Sequence, residues 1–185
     1  MGPSEEEMEA TPPMHAEKGR DLNPRPIRIS ITDETDISVA RIAGAELAID
    51  NGFDIAHRHC IMTTISELAS NILCHAGFGT IEVQTIAGSQ GDVGLEVVAR
   101  DQGPGIENVP LALQCHLPRR GGHGRGLPEV HRLMTEMDVA SRPGAGTMIR
   151  TVKWRSDRYL RSPFMPIVDA EETARRPLPL DSYVP

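Results

Sequence analysis

Aromatic side chains make up only 3% of this 185-residue chain, too few to build the stacking platform on which single-stranded nucleic acids are bound. Basic residues are a minority as well: 19 Lys and Arg stand against 26 Asp and Glu, for a formal net charge of -7. The basic patch of a nucleic-acid-binding surface is therefore missing. No run reaches the roughly 18 to 20 apolar residues that a membrane-spanning helix needs. The Glu-rich start of the chain predicts no secretory signal, which would be basic and then apolar. The three cysteines, Cys60, Cys74 and Cys115, cannot all pair within one chain, and none stands in C-x-x-C spacing. That predicts a reduced, cytoplasmic setting, with Cys60 and Cys74 buried and inert on a helix. Neither Cys115, His116 and His123 nor His57, His59 and Cys60 has the paired spacing of a zinc site.

What is present is unevenly spread. Residues 1–26 hold five prolines and six acidic residues, and residues 156–185 hold five more of the 15 prolines. The stretch between keeps 15 of the 17 glycines and nearly all the apolar periodicity. Proline is excluded from helix interiors and central strands. This division predicts a disordered, acidic and proline-rich extension over 1–26, one folded domain over 27–155, and a proline-rich tail over 156–185. In that tail Tyr159, Leu160, Phe164, Met165, Ile167 and Val168 are apolar enough to dock on the domain or on a partner.

Within the domain, Ile27-Arg28-Ile29-Ser30-Ile31 alternates with the period of a strand. Asp36 is then expected to cap a helix running to about Asp50, ended by Asn51-Gly52, and Asp54 to cap a longer one that stops at Gly77. Residues 79–87 and 93–101 read as two strands joined by a turn-rich link. A helix over about 107–115 leads into the glycine-rich stretch 118–126. Leu127 to Met137 has the pattern of a helix, and 139–142 with 147–154 that of a closing hairpin. The fold class expected is α+β: a two-layer sandwich of a mixed, mostly antiparallel sheet with helices on one face.

Three local features can carry chemistry. In Ser66-Glu67-Leu68-Ala69-Ser70-Asn71, Glu67 and Asn71 are four apart and share one helix face. A carboxylate there can take a proton or orient a hydroxyl, and an amide oxygen beside it suits magnesium; a solvated helix face has the same appearance. In Arg100-Asp101-Gln102-Gly103-Pro104-Gly105-Ile106 a strand ends at an Asp followed by glycines. Such a carboxylate can accept from an amine at a pocket floor, and an ordinary Asx turn looks alike. Gly121-Gly122-His123-Gly124-Arg125-Gly126-Leu127 opens a helix, where exposed N–H groups and the helix dipole suit phosphate. It is neither a Walker A loop nor a Rossmann fingerprint, and alone it is equally a flexible loop.

The order of these features resembles a known family. An amide-bearing helix, a D-x-G-x-G strand end, a glycine loop and Gly146-Thr147 on a closing strand are the boxes of the Bergerat ATP-binding fold of the GHKL superfamily. More narrowly, "TTISELASNILCHAGFGTIEV", "ARDQGPGIENV", "GRGLPEVHRLMTEMDVASRPGAGTMIRTVKW" and "DISVARIAGAELAIDNGF" are similar to the RsbT-type serine/threonine kinases of bacterial stressosomes. The likeness spans residues 27–155 and is closer than that to the anti-sigma kinases proper.

The resemblance implies ATP and Mg2+ as cofactors and a role for each matching residue. Asn71 would hold the magnesium, and Glu67 would be the catalytic residue that orients or deprotonates the attacking hydroxyl. Asp101 would accept from the adenine amino group. Gly103, Gly105 and Ile106 would shape the adenine pocket, with Thr147 closing it. Gly122, Gly124, Arg125, Gly126 and Leu127 would line the phosphate side and the lid. The implied substrate is a Ser or Thr of a STAS-domain protein, and the freed kinase would activate a PP2C-type phosphatase. Capture of a sigma factor by an anti-sigma kinase and a non-catalytic ATP-binding adaptor are the alternatives, and a homodimer is compatible with each. The chain departs from the family in Pro118-Arg119-Arg120, His123 and Arg125. An arginine here can serve the γ-phosphate, or all can be solvated lid residues.

Overall fold

A computed structural model describes residues 25–88, 91–114 and 126–155. The expected extension before residue 25, the tail from 156, and the lid residues 115–125 lie outside them. The elements run β1 (Ile27–Ile31), α1 (Glu34–Asp50), α2 (Ile55–His75), β2 (Gly79–Ala87), β3 (Val93–Asp101), α3 (Val109–Gln114), α4 (Gly126–Leu133), β4 (Glu136–Ser141) and β5 (Thr147–Trp154).

The five strands form one sheet in the order β1-β2-β3-β5-β4, and every pairing is antiparallel. The expected mixture of strand directions is thus replaced by a uniform one: β4 and β5 form a hairpin that joins the sheet through β5, leaving β4 at the edge. Along β3, Val93, Leu95, Val97 and Ala99 alternate onto the helix side, where they meet Ile61, Ile65, Leu68 and Ile72 of α2 in one apolar core. Each such side chain contributes about 1.5–3 kcal/mol on burial.

Helix α2 earns its place through periodicity. Its buried positions Ile61, Thr64, Ile65, Leu68, Ala69 and Ile72 recur at the spacing of a core-facing stripe. Helix α1 buries only small residues, Ala40, Gly44 and Ala48, and a Cβ on Gly44 would overlap Ile65. The two helices therefore approach closely.

Three local expectations are corrected. The cap of α1 is Asp33, whose carboxylate accepts from Thr35 N at 2.7 Å and Asp36 N at 3.3 Å. Asp36 is the reciprocal member of this capping box, accepting from Thr32 N at 2.8 Å and Asp33 N at 3.1 Å. The backbone and side-chain hydrogen bonds from Thr32, followed by that from Asp33, hold its carboxyl below the ordinary 3.8. Helix α4 ends at Leu133 rather than near Met137, because Glu136 pairs opposite Val152 and Met137 opposite Thr151; strand pairing there overrides helix periodicity. Cys60 is half-buried and Cys74 exposed, since both fall outside the buried stripe of α2.

The far side of the sheet is built differently. The Trp154 indole lies over Gly94 and Ile86 and donates from Nε1 to Glu136 Oε1 at 2.6 Å. Arg150 bridges Glu96, Glu136 and Asp138. Burial opposes its charge, but the hydrogen bond and charge of Glu96, then Asp138, outweigh that and raise its pKa above 12.5.

Candidate functional site

The alternation that sends Val97 and Ala99 into the core sends Asp101, the last residue of β3, to the helix side at the end of the sheet. Asp101 sits opposite Gly79 of β2 and Thr147 of β5, and Thr147 sits opposite Ser141 of β4. Four strands thus align Gly79, Asp101, Thr147 and Ser141 in one row on one face, with neighbouring side chains about 4.5–5.5 Å apart at Cβ.

Hydrogen bonds lock this row. Asp101 Oδ1 accepts from Gly103 N at 2.8 Å, the Asx turn expected of the sequence, while Oδ2 is without a partner among the described residues. Ile106 N donates to Ser141 Oγ at 2.8 Å, and Ser141 Oγ lies 3.1 Å from Gly146 O and 2.9 Å from Thr147 Oγ1. Gly144 N donates to Pro104 O at 2.8 Å. The D-x-G-x-G-I loop and the β4–β5 hairpin are therefore clamped together. Two glycines make this possible: Gly105 (φ +74°) and Gly146 (φ +81°) occupy the left-handed region, and a Cβ on either would overlap a carbonyl, that of Arg142 or of Asp101.

The other wall is the C-terminal half of α2. Ala76, its C-cap, touches Gly103, and Ile72 touches Gly79, so this half lies along the row. Glu67 and Asn71 flank the buried stripe and are both half-buried. Glu67 Oε2 accepts from Gly126 N, the first residue of α4, at 3.1 Å; its Oε1 has no partner among the described residues. Asn71 Oδ1 is buried without a hydrogen-bond partner, a costly condition for an isolated amide oxygen.

Of the residues expected to act, Asp101, Gly103, Gly105, Ile106 and Thr147 are gathered at the sheet end, with Ile106 also packed against the core. Glu67 and Asn71 share one face of α2, and Gly126 reaches Glu67. Leu127 is buried at 8% exposure and belongs to the core, where the sequence suggested a lid residue. Gly122, Gly124 and Arg125, with Arg119 and Arg120, lie outside the described residues. Sequence reasoning missed Ser141 and Ala76, since a serine in a hairpin strand and an alanine at a helix end carry no local signal.

A two-layer sandwich whose strand-end Asp and glycine turns face a helix carrying a carboxylate and an unpartnered amide oxygen is a nucleotide site. The chain belongs to the family of histidine kinase-like ATPase domains, whose model matches residues 26–153. The serine/threonine-protein kinase RsbT of Bacillus subtilis is 41% identical over 126 residues, which cover 68% of this chain and 94% of RsbT. An anti-sigma F factor of Caldanaerobacter subterraneus is 33% identical over 97 residues, 51% of this chain and 68% of that protein. Among solved structures, the RsbU and RsbW domains of a Mycobacterium tuberculosis protein align over 72% of this chain and 34% of theirs, at 18% identity and a TM-score of 0.48. The chain is an ATP-dependent serine/threonine kinase of the RsbT type. No helix among its described residues is long and apolar enough to cross a membrane.

Proposed function

We propose that this kinase works in a partner-switching, stressosome-like module, moving the γ-phosphoryl group of ATP to a Ser or Thr of a STAS-domain protein. Released from that substrate, it activates a PP2C-type phosphatase, so that one molecule is both enzyme and switching ligand. The observation that carries the reading is the pairing on α2: Glu67 with a free carboxylate oxygen, and Asn71 Oδ1 buried without a partner, one turn apart beside the sheet-end row.

The roles follow from chemistry. Glu67 takes the proton of the attacking hydroxyl as the new O–P bond forms and the bond from the γ-phosphorus to its bridging oxygen breaks, releasing ADP. Asp101, with Oδ2 open, accepts from the adenine amino group. Gly103, Gly105 and Ile106 carry the backbone on which the ring rests, and Thr147 closes the pocket. Gly126 and Leu127 open α4 on the phosphate side, where Gly122, Gly124 and Arg125 would complete the lid. Asn71 Oδ1 fits a magnesium ion, a hard cation that keeps several waters and takes few protein ligands. When bound, that ion supplies charge neutralisation at the phosphates. The working unit is the domain over 27–155.

The test incubates the full chain and its Glu67→Ala variant with Mg2+-ATP and a purified STAS-domain protein from the same genome, followed by phosphosite mass spectrometry. Phosphorylation of a Ser or Thr by the wild type, reduced about 10²- to 10⁴-fold in Glu67→Ala with ATP binding retained, is expected. Equal transfer by both proteins overturns the role of Glu67. The 33% identity to an anti-sigma F factor favours one second reading, capture of a sigma factor in the ATP-bound state. A stable complex with a sigma factor and no transfer to any STAS-domain protein would select it.

A further inference from the structure

We propose that Ser141 is a positioning residue for nucleotide choice: it fixes Thr147 as a hydrogen-bond acceptor beside Asp101 and so gives the pocket floor an edge that accepts but does not donate. The proposal rests on the reading of Asp101 as acceptor of the adenine amino group.

The argument is one of hydrogen counting. A serine hydroxyl has one proton and two lone pairs. Ser141 Oγ has three polar neighbours: Ile106 N at 2.8 Å, Gly146 O at 3.1 Å and Thr147 Oγ1 at 2.9 Å. The backbone N–H of Ile106 can only donate, so it occupies one lone pair. The carbonyl of Gly146 can only accept, so it takes the single proton. The remaining lone pair of Ser141 must accept, and the proton it receives is that of Thr147. With its only proton turned toward Ser141, Thr147 Oγ1 offers lone pairs alone to a ligand.

Position makes this consequential. Thr147 is the cross-strand partner of Asp101, and Ser141 that of Thr147. The three side chains lie in a row, with Ser141 outermost and Asp101 nearest α2. Asp101 Oδ1 is held by Gly103 N at 2.8 Å, leaving Oδ2 as a second acceptor. Two adjacent acceptors match a base edge bearing an exocyclic amine and repel one bearing a carbonyl oxygen, the difference between adenine and guanine at that position. A site built this way discriminates because the wrong base leaves polar groups unpaired. Without Ser141 the Thr147 hydroxyl turns freely and can donate to a carbonyl.

The experiment is calorimetric titration of the full chain with ATP and with GTP in the presence of Mg2+. Wild type, Ser141→Ala, Ser141→Thr, Thr147→Val and Ser141→Ala/Thr147→Val are compared, with folding checked by circular dichroism. Ser141→Ala is expected to weaken ATP binding about tenfold and to narrow the ATP-over-GTP preference, with the loss in turnover falling on KM for ATP rather than on kcat. Ser141→Thr restores the hydroxyl and recovers most of the preference. The double variant loses no more than Thr147→Val alone, because Ser141 acts through Thr147. If Ser141→Ala does not fold, Ser141→Cys, which keeps the shape but bonds weakly, carries the same expectation. An unchanged ATP-over-GTP preference in the folded variant, or losses that add in the double variant, would overturn the proposal and leave Ser141 a purely structural clamp. An Asp101→Asn control that binds ATP as the wild type does would overturn the underlying reading of the pocket, and this proposal with it.

Discussion

The two walls of the site are opposites. In the sheet-end row Ser141 Oγ has three polar neighbours, and one oxygen of Asp101 is held by the turn that follows it. On α2, Glu67 has one contact, to Gly126 N, and Asn71 Oδ1 has none. A group that recognises a rigid heterocycle gains from being fixed beforehand, since ordering it on binding costs affinity. A group that must bind a cation or take a proton needs an empty valence, and the fold tolerates the cost of leaving it empty. The row reads the base, and the helix does the chemistry.

The largest effect expected is on the row. Asp101→Asn replaces a carboxylate acceptor by an amide that can present a donor, and ATP binding should weaken by about 100-fold or more, as read by calorimetry. Gly146→Ala attacks the same wall through its backbone. With φ at +81° and the Asp101 carbonyl in the way of a Cβ, it should cost about 1–3 kcal/mol in urea unfolding and loosen ATP binding together with stability. On the other wall the direction reverses. Asn71→Leu removes a buried, unpartnered oxygen, so thermal unfolding should show a gain of about 1 kcal/mol while phosphoryl transfer is lost. A destabilised Asn71→Leu would blur the contrast between fixed and open valence. The smallest effect lies far from both walls. The carboxyl of Asp36 titrates below 3.8 in the folded state, so its contribution is present above that pH and is lost as pH falls through the lowered value. Asp36→Asn should flatten the helical circular-dichroism signal's dependence on pH in that range, relative to wild type.

Much of the fold could be read in the chain. Strands 79–87 and 93–101 carry alternation that no helix would tolerate, and both appear with those bounds. The two long helices announce themselves by stripes and Asp caps, though Asp33 rather than Asp36 is the first cap. Capping boxes place two acidic residues three apart, and the sequence does not say which one leads. The end of α4 was misread because Glu136 and Met137 suit either state, and only a partner strand decides between them. Strand direction was misread for a similar reason: the place of the β4–β5 hairpin depends on which edge of β3 is free.

Within the site, the residues with chemistry of their own were legible and those that act by position were not. Glu67, Asn71 and Asp101 stand out because a carboxylate or amide in a repeated spacing is informative without coordinates. Glycine turns stand out because few other residues accept a positive φ. The sequence by itself therefore determined the class of fold, the two long helices and the acceptors a nucleotide would meet. Only the tertiary structure decided that Ser141 lies beside Thr147 and Thr147 beside Asp101. That row spans residues 79, 101, 147 and 141 on four strands. Register across strands is set by hydrogen bonds and by which face is buried against the helices, and neither is a property of any one segment.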